Sequence, residues 1–191
     1  MTKHKCGWCA GDELYEAYHD NEWGVPIYDD HQLFEFLILE TFQAGLSWIT
    51  ILRKRENFRE AFDFFDYKKI ANYNEDKREE LLQNAGIIRN KLKIKSAITN
   101  AQAFMDIQKE FGSFSNYIWA FVDGKTIKNK VKVYKEAPAN TPLSDALSKD
   151  LKKRGFKFVG STICYAHMQA CGMVNDHSND CFRKAEIIAQ Y

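Results

Sequence analysis

Apolar positions in this chain recur at helical spacing through most of its long segments and rarely alternate. The run from His31 to Thr41 is apolar on most sides, which predicts a deeply buried helix. Asp29-x-x-Gln32 ahead of it resembles a capping box. Leu46 to Lys54 predicts a second helix, with Leu46, Ile49 and Leu52 on one stripe. Asn74, followed by Glu75 and Asp76, predicts an N-cap with an acidic first turn, and Gly86 a stop after Ala85. Lys91 to Ile107 reads as a long amphipathic helix. Thr141-Pro142 supplies an N-cap and first helical position for a helix through Lys153, and Ser161 to Ala170 predicts another. Only Val131-Lys132-Val133-Tyr134, inside the stretch from Gly124 to Thr141, alternates like a strand, and it is read as part of a long surface connection. The expected architecture is all-α.

Composition narrows the class. At 191 residues and 45% hydrophobic content the chain suits one domain with a real core. A net charge of +1 gives no global basic signal, so nucleic-acid binding has to come from a local patch. No stretch approaches the ~18 apolar residues of a membrane span, and Met1-Thr2-Lys3-His4-Lys5 leads into no signal-type run. Five cysteines, an odd number, argue for thiols in a reducing cytoplasm. A cytoplasmic monomer without membrane contact is the expectation.

Two fragments carry metal-ligand chemistry: Cys6 with His19, and His177 with Cys181. The His177-x-x-x-Cys181 spacing puts two ligands on one side of a helical turn or tight loop. Zinc takes four nitrogen and sulfur ligands in a tetrahedral shell, and a full shell leaves no place for substrate, so this metal would be structural. The competing reading is cysteines and histidines scattered by chance, since the Cys6–His19 gap fits no standard finger. Cys6-Gly7-Trp8-Cys9 also spells a C-x-x-C. No strand precedes it, as dithiol redox motifs require, although Cys9 stays open as an alternative ligand.

From Lys149 to Lys157 the chain holds five cations, and two glycines bound a turn between helix candidates in Lys152-Lys153-Arg154-Gly155-Phe156-Lys157-Phe158-Val159-Gly160-Ser161-Thr162. Gly160 lets a backbone approach closely, and Ser161 opens the next helix with N–H groups directed outward, which suits a phosphate. Such a helix–hairpin–helix grips a DNA backbone without reading bases. The alternative is a plain helical hairpin with a solvated lysine face.

Several blocks together resemble one family, 3-methyladenine DNA glycosylase I. They include Cys6-Gly7-Trp8, Tyr18-His19-Asp20-Asn21-Glu22-Trp23-Gly24-Val25-Pro26 and Gln43-Ala44-Gly45-Leu46-Ser47-Trp48-Ile49. Asn84-Ala85-Gly86-Ile87-Ile88-Arg89, Ser144-Asp145-Ala146-Leu147-Ser148-Lys149, the hairpin and Val174-Asn175-Asp176-His177 continue it, from Cys6 to Cys181. The resemblance implies a helix–hairpin–helix glycosylase fold whose N- and C-termini are joined by one structural zinc on Cys6, His19, His177 and Cys181, with Cys9 outside the set. It implies excision of N3-methylated adenine from alkylated double-stranded DNA, with free 3-methyladenine as product. Residues 1–191 would form a single glycosylase unit. Its finer division is two helical lobes: the tethered termini with 31–60 and 140–181 around the active site, and 61–139 as the other.

The residues suit that chemistry. Methylation at N3 makes the base cationic, and a pocket for it wants aromatic faces and a carboxylate. Glu40, at the end of an apolar run, needs a partner or picks up a proton, and the resemblance places the base-binding glutamate there. Trp8, Tyr15, Tyr18 and Trp48 are the candidate walls, while Trp23 and Trp119 are assigned to the core. Lys153, Lys157, Gly160, Ser161 and Thr162 are the phosphate-facing candidates. Gln43 and Leu46 are candidates to fill the gap left by a flipped nucleotide, Leu46 being equally a first core residue of its helix. Asp176 is read as supporting the metal site. No lysine stands out as a Schiff-base nucleophile, so water attacks the sugar. The rivals are a non-catalytic DNA-binding module and a zinc-dependent hydrolase with an open coordination position.

Overall fold

The computed structural model describes residues 3–133 and 137–190, so Tyr134 of the alternating stretch lies outside the described residues. Eleven α-helices are found among them: α1 Glu13–Asn21, α2 Asp30–Gln43, α3 Trp48–Leu52, α4 Arg55–Ala61, α5 Tyr67–Ile70, α6 Glu75–Gln83, α7 Lys91–Phe111, α8 Phe114–Trp119, α9 Pro142–Lys153, α10 Ser161–Ala170 and α11 Phe182–Gln190. Two short strands, β1 Ile127–Lys128 and β2 Val174–Asn175, pair in parallel.

Helix α2 is the axis of the molecule. Every residue from Leu33 to Phe42 is buried, which its all-round apolar pattern requires, and it packs against α3, α7, α8 and α10. Each Leu, Ile or Phe removed from water there contributes about 1.5–3 kcal/mol. Asp29 caps it by accepting from the Gln32 backbone N–H at 2.9 Å. One continuous cluster of buried apolar side chains extends from Cys6 to Cys181.

The predicted long helices are present with shifted ends. α9 spans Pro142 to Lys153 behind a Thr141–Ser144 capping box. α6 stops at Gln83, because the Asn84 side chain bonds the Gly86 N–H at 2.8 Å and turns the chain earlier than expected. α7 continues past Ile107 to Phe111, where Gly112 takes φ +84°. The segment predicted from Leu46 does not become helical until Trp48. Gly45 at φ +79° breaks the chain first and leaves Leu46 outside the helix and 41% exposed.

The all-α expectation meets one correction, the β1–β2 pair. The connection after Gly124 lies along the 173–179 segment, and its backbone groups find partners there. Ile127 N–H donates to Met173 O at 2.9 Å, and Asn179 N–H to Val131 O at 2.8 Å.

Candidate base-recognition site, metal-ligand cluster and hairpin

Helix α2 carries two buried glutamates with opposite fates. Glu35 accepts from Arg55 Nε at 2.7 Å and Arg59 Nε at 3.0 Å, so its charge is compensated. Glu40, in the last turn and 3% exposed, has no such neighbour, and its Oε2 has no hydrogen-bond partner among the described residues. Burial alone pushes its carboxyl up to about 8, which favours the neutral acid at neutral pH.

Around Glu40 the fold assembles a cavity of ≈ 90 Å³ lined by Trp8, Tyr15, Tyr18, Trp23, Gln43, Trp48, Ala166 and Gln169. Tyr18 comes from α1 and Trp48 from the first residue of α3, their ring centroids 5.5 Å apart. Trp8 packs edge-on against Tyr15 at 4.7 Å. The Tyr18 phenol is held well above its ordinary range by burial and then by the Glu40 charge. Trp48 Nε1 is buried with no acceptor among the described residues. All four predicted aromatic walls and Glu40 thus meet in one place.

Sequence reasoning placed Trp23 in the core. It is buried, but it also lines this cavity and touches the His177 ring at 4.5 Å, forming the partition between cavity and cluster. Ala166 and Gln169 were missed. Both project from α10, whose packing on α2 is a contact between distant parts of the chain. Trp119 is a core residue as expected, donating from Nε1 to Ile27 O at 2.8 Å.

A larger cleft of ≈ 590 Å³ lies beside Glu22, Glu35, Arg55 and Arg59. Those charges pair with one another, Arg55 with Glu22 at 2.6 Å and with Glu35 at 2.7 Å. The smaller cavity, with an uncompensated carboxyl, is the better candidate for a cationic ligand.

The partition's far side holds the cysteines and histidines. Ligand atoms of Cys6, His19 and Cys181 lie within 4.8 Å of one another, all buried. His19 Nδ1 is 2.8 Å from Asp20 Oδ1, and its Nε2 is 3.4 Å from Cys181 Sγ. That outer carboxylate fixes the ring with Nε2 facing the thiols. The His177 ring sits 5.0 Å from that of His19, and its Nε2 is buried without a partner among the described residues. The Cys181 thiol is drawn below its ordinary range, first by a hydrogen bond with the free Cys6 thiol and then by one with His19. Cys6, His19 and Cys181 form a donor group that could hold a metal ion, and His177, the fourth expected ligand, lies outside it. Cys9 turns away, its Sγ donating to Cys6 O at 3.1 Å. Gly24 packs so closely that a Cβ there would lie 2.8 Å from His177 Cε1.

Asp176 does not hold His177 directly. Its carboxylate accepts from Asn129 Nδ2 at 2.6 Å, Tyr165 Oη at 2.6 Å and Gln169 Nε2 at 2.8 Å. The neighbour of His177 Nδ1 is Asn175 Oδ1 at 3.2 Å. The segment from Val174 to Ser178 keeps one direction beside 127–131, and along such an extended stretch adjacent residues face different partners.

α9, the turn and α10 form the expected helical hairpin. Ser148 Oγ donates to Val159 O at 2.6 Å and bolts the turn to α9. Gly155 at φ +96° and Phe158 at φ +55° shape it. A side chain at Gly160 would meet no protein atom within 4 Å, so the backbone is open to approach, and no side chain caps the first turn of α10. Lys153, Lys157 and Thr162 are exposed, and Ser161 is half-buried with its hydroxyl 2.8 Å from Ser144 Oγ. Arg154, counted among the five cations, is consumed by Glu110 and Asp150 and stacks over Tyr117 and Phe111. Gln43 ends α2 at the cavity edge, and Leu46 stands exposed just beyond it. Its exposure overturns the core reading of Leu46.

Comparison with known proteins agrees over nearly the whole chain. The family model described as methyladenine glycosylase matches residues 8–184. DNA-3-methyladenine glycosylase 1 of Escherichia coli (strain K12) is 52% identical over 177 residues, covering 93% of this chain and 95% of the relative. The Haemophilus influenzae DNA-3-methyladenine glycosylase is 49% identical over 93% of this chain and 96% of its own. A crystal structure of 3-methyladenine DNA glycosylase I superposes with a TM-score of 0.91 at 54% identity, over 94% of this chain and 98% of that one. The Staphylococcus aureus enzyme, solved for the structural basis of 3-methyladenine recognition, gives 0.91 at 35% identity, over 94% and 96%. With a matching family model and relatives of this identity along almost its entire length, the chain belongs to the methyladenine glycosylase family.

Proposed function

We propose that this protein is a monofunctional DNA glycosylase that extrudes N3-methyladenine from alkylated duplex DNA and hydrolyses its N-glycosidic bond. It releases free 3-methyladenine and leaves an abasic site. The observation that carries this reading is Glu40, a buried carboxyl without a partner in an aromatic cavity. A base bearing an exocyclic amine and a positive charge supplies what Glu40 lacks, and its arrival favours loss of the carboxyl proton. Tyr18 and Trp48, with Trp8 and Tyr15 behind them, offer ring faces for stacking. The N3-methylated base departs neutral, so the bond is already weakened. The enzyme has to take the base from the stack, hold it and admit water to the sugar. Glu40 therefore acts in recognition more than in proton transfer.

Lys153, Lys157 and the Gly160–Ser161–Thr162 turn would hold phosphates, and Gln43 and Leu46 would fill the space the flipped nucleotide leaves. Cys6, His19, His177 and Cys181 would bind one zinc, whose full shell supplies folding energy and no chemistry. Trp23 stands between that cluster and the cavity, which argues against metal-activated water. Thiols serving as metal ligands suit a reducing compartment, the cytoplasm, and the protein would act there as a monomer. No helix among the described residues is long and apolar enough to cross a membrane.

The test is release of 3-methyladenine from methylated duplex DNA. Release by the wild-type chain supports the reading, and its absence from a correctly folded, metal-replete sample would overturn it.

A further inference from the structure

Two side chains of α7 reach out to the two segments just assigned to DNA. Lys93 is only 6% exposed, unusual for lysine, and its ammonium donates to Phe42 O at 2.8 Å and Ala44 O at 2.6 Å. Those carbonyls close α2 and open the turn that carries Gln43 and Leu46. A cation at this helix end satisfies groups that the chain itself leaves open and complements the helix dipole. Asn100 is fully buried and grips the hairpin from the same helix. Its Oδ1 accepts from the Lys157 N–H at 2.8 Å, and its Nδ2 donates to Lys157 O at 3.1 Å.

Lys93 and Asn100 are seven residues apart, two helical turns, so they share one face of α7 with roughly 10 Å of axial rise between them. Neither lines the base cavity. Both act on main-chain atoms, so what they determine is where each turn sits. We propose that α7 is a spacer fixing the separation between the wedge turn at Gln43–Leu46 and the hairpin turn at Lys157, with Lys93 and Asn100 as its two positioning residues. This rests on the glycosylase reading above. A duplex held at the hairpin offers its damaged nucleotide at a fixed distance, and misplacing a group by 1 Å can cost about 100-fold in rate. A spacer of rigid helix meets that demand better than a loop.

The test uses the full chain, methylated duplex DNA and free 3-methyladenine. Lys93→Met keeps the side-chain length and removes the donors. It is expected to lower kcat on duplex about tenfold or more, the scale of a lost hydrogen bond to a charged group. Asn100→Ala is expected to raise KM for duplex instead. Both should bind free 3-methyladenine as the wild type does. Both should also keep the wild-type salt slope of duplex binding, because neither side chain meets a phosphate. Lys93→Arg, which retains charge and donors, should restore turnover. If Lys93→Met fails to fold, the KM of Asn100→Ala for duplex carries the test, and a wild-type value there overturns the proposal. Free-base affinity falling in step with turnover would show a general structural role and overturn the proposal. So would a wild-type kcat for Lys93→Met together with a wild-type KM for Asn100→Ala, or a reduced salt slope for Lys93→Met. No base release by the wild type itself overturns the glycosylase reading first, and the spacer with it.

Discussion

His19 Nε2 lies 3.4 Å from Cys181 Sγ although 162 positions of sequence separate them. The residue before His19 is Tyr18, a wall of the base cavity, so one turn of α1 serves both sites on different faces. A bond at one face therefore steadies a wall at the other.

Metal removal should loosen the fold before it alters the chemistry. Elemental analysis is expected to find one zinc per chain, and Cys181→Ser to lose it. A loss of ~3 kcal/mol would lower Tm by about 6–12 °C in a chain of this size. A zinc-free sample with unchanged Tm would remove the metal from this account.

Gly24 offers a more discriminating variant. It holds φ +81°, and an added Cβ would lie 2.8 Å from His177 Cε1. Gly24→Ala is expected to destabilise the protein by about 1–3 kcal/mol and to weaken zinc retention, since the ring it displaces is a proposed ligand. Competition with a chelator measures the second effect, and unchanged metal affinity would separate His177 from the site.

At the hairpin, Lys157→Ala should weaken binding to all duplexes alike and lower the salt slope by roughly one unit. Titrations at several salt concentrations measure it. A variant that changed which base is excised would show that this turn reads sequence, contrary to its proposed role.

Glu40→Gln keeps shape and an acceptor oxygen but removes the charge. A hydrogen bond to a charged group contributes ~1.5–3 kcal/mol, so binding of the cationic lesion and the excision rate should both fall by about one to two orders of magnitude, and affinity for the neutral free base by less. Normal binding with no turnover would instead make Glu40 a catalyst in the strict sense.

The same substitution has a signature in stability against pH. The folded chain holds the Glu40 proton up to about 8, against 4.5 for an ordinary glutamate. The folded state therefore binds more protons than the unfolded one between those values. The wild type should lose stability as pH rises through that window, with a slope of up to ~1.4 kcal/mol per unit, and Glu40→Gln should not. Melting curves from pH 5 to 8 in the absence of ligand test this, and parallel curves would mean that Glu40 is ionised and paired in the free protein.

What the sequence revealed depended on how local the cause was. The all-apolar run ahead of Glu40 identified both a buried helix and an expensive carboxyl. Thr141-Pro142 marked the first turn of α9 because capping is decided within four residues. Short helices such as α5 and α8 carry too few residues to show a period. Gln169, Lys93 and Asn100 were out of reach for a different reason. Lys93 and Asn100 serve polar groups brought near only by tertiary packing, 51 positions away for Lys93 with Phe42 and 57 for Asn100 with Lys157. Gln169 reaches the cavity of Glu40 only once α10 packs on α2. Trp23 was read by residue type as core. Burial made that half right, and the cavity on its other side could not be foreseen.

The raised carboxyl of Glu40 also bears on discrimination. On this reading, undamaged adenine brings no positive charge, so it meets a neutral acid at pH 7 and gives that acid no reason to ionise. The methylated base converts the same group into its counter-ion. Above pH 8 the empty pocket already carries the charge. Ordinary adenine would then have to share a dry site with an unbalanced carboxylate, while the cationic lesion would no longer have to displace a proton. Selectivity for damage should widen as the solution becomes more alkaline, set by one hydrogen ion on one side chain.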